Sequence, residues 1–274
     1  MTRYIFFYFI TIFSVNSLAS DLQINGKLEQ GGLAYGWVPK DTSLSLGVTE
    51  IDISPEGYFI FGISRNSPST LELKVTKNKI VSKKIINIKK RDWIIERING
   101  LPSNTVSPDN KTLTRIRNEG ALISQRRKIS ASSIYFKSGF ILPSVGRVSG
   151  VFGSQRVLNG KPRSPHSGLD LAAPIGTKVI ATADGIVSLV HKDMILTGKT
   201  VMIDHGFGLQ SIYIHLNDIF VKEGELVKQG QLIAEIGVTG RTSGPHLHFG
   251  ITWYGVKLDP QSVLEVLPIK DVIN

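Results

Sequence analysis

The sequence predicts a mainly β protein: two β-rich segments joined by one helical connector. Three observations carry this. Short apolar–polar alternations separated by turn residues fill residues 20–100. A helix-periodic stretch with a cap in front of it follows within residues 101–139. Strand-like runs punctuated by Gly and Pro then occupy residues 140–268, ahead of a short tail at 269–274. The 274 residues suffice for one large domain or two modest ones.

Taken in order, the chain opens on Arg3, a 12-residue apolar run over residues 4–15, and small residues at Ser17 and Ala19. This is the layout of a secretory signal, so residues 1–19 are expected to be cleaved after Ala19. The run is too short to be read as a membrane span. The mature chain is therefore expected outside the cytoplasm, with no stable membrane insertion.

In the next segment Ile51-Asp52-Ile53 and Tyr58-Phe59-Ile60-Phe61 flank Pro55-Glu56-Gly57, which reads as a hairpin. Leu71-Glu72-Leu73-Lys74-Val75 alternates cleanly, and Lys77-Asn78-Lys79 turns it into a second strand over 80–88. Together these predict a small antiparallel β-domain. In the connector, Ser107-Pro108-Asp109 supplies an N-cap with Pro at the first helical position. Leu113, Ile116 and Ile123 then recur at helical spacing, with Arg115, Arg117, Arg126 and Arg127 as a solvated face. The last segment offers strands at 147–152, 178–181, 185–190, 200–204, 210–215, 232–238 and 246–253.

Composition narrows the chemistry. The net charge of +10 suits a polyanionic partner such as the bacterial envelope. No compact basic and aromatic motif points to nucleic acid. There is no cysteine, so disulfides, thiol catalysis and thiolate metal sites are excluded. A metal site would have to use His, Asp or Glu.

All six histidines fall in the last segment. His166-Ser167-Gly168-Leu169-Asp170, placed in a loop after Pro165, sets an imidazole and a carboxylate four residues apart, and both are good zinc ligands. In His246-Leu247-His248-Phe249, a strand would point both imidazoles to one face and the two apolar side chains to the other. His215 ends a strand-like run, Tyr213-Ile214-His215-Leu216. Each pattern is weak by itself.

Their order is specific. His-x-x-x-Asp, then Tyr-x-His-Leu, then Gly-Pro-His-Leu-His-Phe resembles the lysostaphin/LytM-type zinc metallopeptidases. Ser149-Gly150-Val151-Phe152-Gly153, Ala183-Asp184-Gly185, Asp204-His205-Gly206 and Gly240-Arg241-Thr242-Ser243-Gly244-Pro245 add to the match, which covers roughly residues 147–260. The resemblance implies a compact antiparallel sheet with a groove and zinc in its floor. It implies His166, Asp170 and His248 as metal ligands, with His215 and His246 catalytic. The implied activity is hydrolysis of peptide cross-links in peptidoglycan, between D-alanine and the diamino acid or, as in other members, within glycine bridges; the N-terminal signal points to a periplasm. Three ligands leave one position for water, whose pKa zinc lowers to about 7. No His-Glu-x-x-His helix supplies a glutamate base, so His246 or His215 must act as base or as transition-state stabiliser. His205 is expected to pack, His191 to lie at the surface, and Gly168, Gly240 and Gly244 to serve loop geometry; Asn217 and Arg163 are candidates for outer contacts. The competing reading is a non-catalytic or self-covered regulator of other wall hydrolases, with the N-terminal half lying over the groove.

Overall fold

Turn residues and alternating apolar residues divide the chain into twenty strands and two α-helices in the described residues, 22–99 and 109–267 of a computed structural model. The N-terminal strands are β1 (Gln23–Gly26), β2 (Leu33–Trp37), β3 (Thr42–Leu46), β4 (Thr49–Ile51), β5 (Tyr58–Gly62), β6 (Thr70–Lys77), β7 (Ile80–Asn87) and β8 (Ile95–Ile98). Helix α1 (Asn110–Arg126) follows. The C-terminal part holds β9 (Arg147–Gly150), β10 (Gln155–Leu158), β11 (Lys161–Pro162), β12 (Leu169–Ala172), β13 (Lys178–Ile180), β14 (Gly185–Met194), β15 (Gly198–Asp204), β16 (Leu209–Ile219), β17 (Leu226–Val227), β18 (Leu232–Ile236), β19 (Leu247–Trp253) and β20 (Val256–Leu258), then the short helix α2 (Pro260–Val266). The fold is mainly β, as predicted. Residues 1–19, with the expected signal, and the 269–274 tail lie outside the described residues.

The N-terminal segment forms two antiparallel sheets, β1-β2-β5 and β4-β3-β6-β7. The β6–β7 hairpin forms as expected, turning at Asn78 and Lys79, both with positive φ. The hairpin expected around Pro55-Glu56-Gly57 is reduced to a single bridge, Ile53 to Phe59. Here β4 pairs with β3 and β5 with β2, so the turn carries the chain between two sheets. Helix α1 is capped by Asp109, whose carboxylate accepts from the Thr112 amide at 2.7 Å. The cap is thus two residues later than Ser107, which lies outside the described residues together with Pro108.

A ten-stranded sheet dominates the C-terminal part, ordered β17-β14-β15-β16-β19-β12-β9, with β13, β18 and β20 joined at its sides. Strand β16 is buried on both faces, and its period of two sorts its side chains. Leu209 and Tyr213 point into the main core, which also takes in Phe59, Phe61 and Leu33 of the N-terminal segment. Ile212 and Ile214 point the other way and meet Leu189, Met194, Met202 and Ile123 of α1. Helix α1 is thus more than a connector. It lies on the sheet, and Gln210 on β16 donates to the Arg126 and Ile129 carbonyls at its C-terminal end. Register places Ile214 opposite His248 and His248 opposite Asp170, so the ligand candidates share the face that α1 covers further along.

The two segments are also joined by pairing. Strand β8 runs parallel to β10, and β11 extends this small sheet. At the interface Asp259 accepts an ion pair from Arg91 at 2.8 Å.

Candidate metal centre

Each of the three ligand candidates arrives on a different support. Asp170 stands on β12, next to His248 on β19 in the antiparallel register. The sequence reading placed Asp170 in a loop; it sits in a strand, because Leu169 and Leu171 on either side plug the core while Asp170 faces the opposite way. Leu247 and Phe249 are likewise fully buried, which leaves His248 to the open face as the alternation predicted. His166 does come from a loop, and backbone bonds hold it: the Gly153 amide donates to its carbonyl at 2.9 Å and its own amide donates to Ser154 at 2.8 Å. Gly168 is required in between, because a Cβ there would collide with the Phe249 carbonyl and crowd the His248 ring. Gly240 takes a φ of +74°, whereas a Cβ at Gly244 would meet open space.

The donor atoms converge on one point. His166 Nε2 lies 3.0 Å from Asp170 Oδ1 and 2.9 Å from His248 Nδ1, and His248 Nδ1 lies 2.8 Å from Asp170 Oδ1. His166 Nδ1 is 3.0 Å from the Val151 carbonyl, which can only accept. The proton of a neutral His166 therefore sits on Nδ1, and Nε2 turns a lone pair towards the carboxylate. Two lone-pair donors and an anion meeting in a half-buried spot is an arrangement that a divalent cation satisfies, and the donor set of two imidazoles and one carboxylate suits zinc. Electrostatics agree. Burial pushes the Asp170 carboxyl up, but the adjoining His166 and His248 rings outweigh it and hold it well below the usual carboxylate range. Burial holds the His248 ring below its ordinary value despite Asp170.

Two further imidazoles stand beside this trio. His246 Nε2 is 3.9 Å from Asp170 Oδ1. Its Nδ1 donates to the Gly244 carbonyl at 2.9 Å, with Thr242 Oγ1 at 3.1 Å. His215 packs its ring against His246, centroids 4.8 Å apart, and donates from Nδ1 to the Thr239 carbonyl at 2.8 Å. Both rings thus spend Nδ1–H on the backbone and keep Nε2 free to accept a proton. Burial pushes the His215 ring down to about 4. Its backbone adopts φ +62°, a left-handed conformation that non-glycine residues rarely take and that concentrates at functional sites.

The other candidates fall elsewhere. His205 is wholly buried between the Asp184 carbonyl and Ser211 Oγ, a packing residue as expected. His191 is half-buried on β14 and accepts from the Asp193 amide. The Asn217 amide engages Asp218 and Glu235, and Arg163 is exposed just past β11. Sequence reasoning missed the part played by Val151, Thr239 and Thr242, the groups that orient the imidazoles; Val151 and Thr242 stood within motifs that had been singled out, and Thr239 did not.

A converging His-Asp-His donor group in the open face of an antiparallel sheet, flanked by two further histidines, suits a metallohydrolase. Residues 164–260 match the model of peptidase family M23, in line with the resemblance to the lysostaphin/LytM-type metallopeptidases. The chain is 48% identical over 87 residues to the peptidoglycan DD-endopeptidase ShyB of Vibrio cholerae, a stretch that is 32% of this chain and 20% of that protein. It is 41% identical over 98 residues to the DD-carboxypeptidase/endopeptidase Mpg of Neisseria meningitidis, 36% of this chain and 22% of the relative. The chain thus spans about a fifth of the length of these curated relatives. A Pseudomonas aeruginosa crystal structure described as a peptidase M23 superposes with a TM-score of 0.69 at 26% identity, covering 87% of this chain and 96% of that one.

Proposed function

We propose that this protein is an exported, zinc-dependent endopeptidase that hydrolyses the peptide cross-links of bacterial peptidoglycan, at the bond between D-alanine and the diamino acid. The observation that carries the reading is the convergence of His166, Asp170 and His248 within 3.0 Å of one another, beside two imidazoles with free Nε2 atoms. The names of the relatives support the substrate and the bond. The apolar N-terminal run supports export to a periplasm, and no helix among the described residues is long and apolar enough to cross a membrane. The net charge of +10 suits a wall rich in carboxylates.

In this reading His166, Asp170 and His248 hold the ion, which would supply Lewis-acid polarisation of the scissile carbonyl and an acidified water. His246 and His215 do the proton work. One accepts a proton at Nε2 from the attacking water; the imidazolium so formed keeps Nδ1–H on the backbone and has an Nε2–H to turn towards the oxygen on which charge develops. Their fixed Nδ1 bonds hold each ring ready without rearrangement. The complete ligand set speaks against a purely regulatory role.

The test is digestion of purified peptidoglycan by the mature chain with and without a chelator, with mass analysis of the fragments. Chelator-sensitive release of peptides ending at D-alanine is expected. Absence of cleavage by zinc-loaded protein would remove the enzymatic reading.

A further inference from the structure

The loop that orients His166 is itself held from the N-terminal domain. Gly153 donates to the His166 carbonyl, Ser154 accepts from the His166 amide, and Val151 accepts from the His166 ring. Residues 151–154 are therefore the cradle of one ligand. Two groups from the other segment grip this cradle. Arg65, in the loop after β5, sends Nε and Nη2 to the Gly153 carbonyl at 3.0 and 2.8 Å, a two-pronged bond that a planar guanidinium makes and an ammonium does not. Trp93, just before β8, packs edge-on against Phe152 with centroids 5.8 Å apart. The guanidinium groups of Arg65 and Arg91 both lie over the Trp93 ring, 4.9 and 4.6 Å from its centroid. Gly153 has φ +80°, and a Cβ there would collide with the indole, so the indole lies directly on the cradle's backbone. Beyond it the Gln155 amide donates to the Ile94 carbonyl, where β8 pairs with β10.

We propose that Arg65 and Trp93 are positioning residues for the metal ligand His166, so that the N-terminal β-domain completes the metal site instead of covering it. The chemistry is that of an outer support. An imidazole ligand binds well only if its tautomer and ring direction are fixed, and partners one step removed from a metal are worth about 10–100-fold in affinity. Here the fixing group is the Val151 carbonyl, and its place depends on a loop that the C-terminal segment alone leaves without the Gly153 and Phe152 contacts.

This inference rests on the metal-site reading, and its test separates the two. Affinity of the full mature chain for Zn(II) would be measured by competition with a chromophoric chelator, and the ligand field would be read from the visible spectrum of the Co(II)-substituted protein. Arg65→Ala and Trp93→Ala are expected to bind zinc about tenfold or more weakly and to change the Co(II) bands. Arg65→Lys, which keeps the charge but not the fork, should fall between and carries the test if an alanine variant does not fold. Ile60→Val, a core change in the same domain away from the cradle, controls for lost stability and should bind metal as tightly as the parent chain. Tight metal binding with an unchanged spectrum in Arg65→Lys and in the folded alanine variants would overturn the proposal while leaving the metal site standing. Equal weakening in Ile60→Val would also overturn it. A parent chain that takes up no metal would overturn both readings.

Discussion

At the scale of residues, the site was legible where the chemistry is local in sequence. A spacing of two in a strand puts His246 and His248 on one side, and the buried Leu247 and Phe249 confirm that alternation. What was not legible are bonds that cross the chain, such as His215 to Thr239 or His166 to Val151, because no local pattern encodes them. In the proposed reading the roles divide by position. Replacing His248 with Ala would remove a proposed ligand and should abolish stoichiometric zinc, read by metal analysis. Replacing His246 with Ala should leave zinc in place and lower kcat by about 10²–10⁴-fold, the usual worth of a proton-transfer group. Loss of zinc in both would contradict that division. His205 makes a separate prediction. Burial pushes its ring down from an ordinary value of 6.5 to about 4, so the folded state takes up its proton at lower pH than the unfolded chain. Between those values the unfolded chain holds more protons, so its contribution to stability is full above about 6.5 and is lost as pH falls towards 4. His205→Gln should flatten the slope of urea stability against pH over that window; an unchanged slope would assign it to other groups.

Among elements, runs with clean alternation were legible, and β6, β14, β15 and β19 lie where the pattern put them, to within a few residues. Strand β12 escaped because four residues beside a Pro-rich loop carry too little periodicity, and it is tertiary pairing with β9 and β19 that makes them extended. Helix α2 escaped for a similar reason, although Asp259-Pro260 is a cap followed by Pro at the first helical position. Helix α1 was legible as a helix but not as a packed one, since its apolar stripe is thin. That stripe is nonetheless what docks it: Ile123 reaches the Met194, Met202 and Ile212 cluster. Ile123→Ala should therefore cost about 2 kcal/mol or more in denaturant unfolding. Asp109→Ala, which removes the cap bond to Thr112, should lower the denaturant midpoint by a smaller amount. A negligible effect at Ile123 would mean that α1 contributes little to the sheet it lies on.

For the whole molecule, domain order alone suggested an N-terminal half that shields the groove, from which a chain starting near Phe140 would emerge more active. The packing argues the reverse. Leu33, Phe59 and Phe61 belong to the same core as Tyr213, Phe249 and Trp253, and a Cβ at Gly62 would already crowd Trp253 and Leu258. Charge and pairing cross the same boundary, in the Arg91–Asp259 ion pair and in β8 beside β10. Cutting there would bare apolar side chains to water at about 25 cal/mol for each Å² exposed, take the Arg91 partner from the Asp259 carboxylate and release the His166 cradle. A chain beginning at residue 140 should accordingly melt several degrees lower than the mature protein and hold zinc less tightly. The mature protein itself should unfold in one calorimetric transition, its calorimetric and van't Hoff enthalpies agreeing, because a shared core couples the two segments. Two resolved transitions, with the C-terminal one unshifted in the shortened chain, would show the halves to be independent and would restore removal of the N-terminal half as a plausible route to activation.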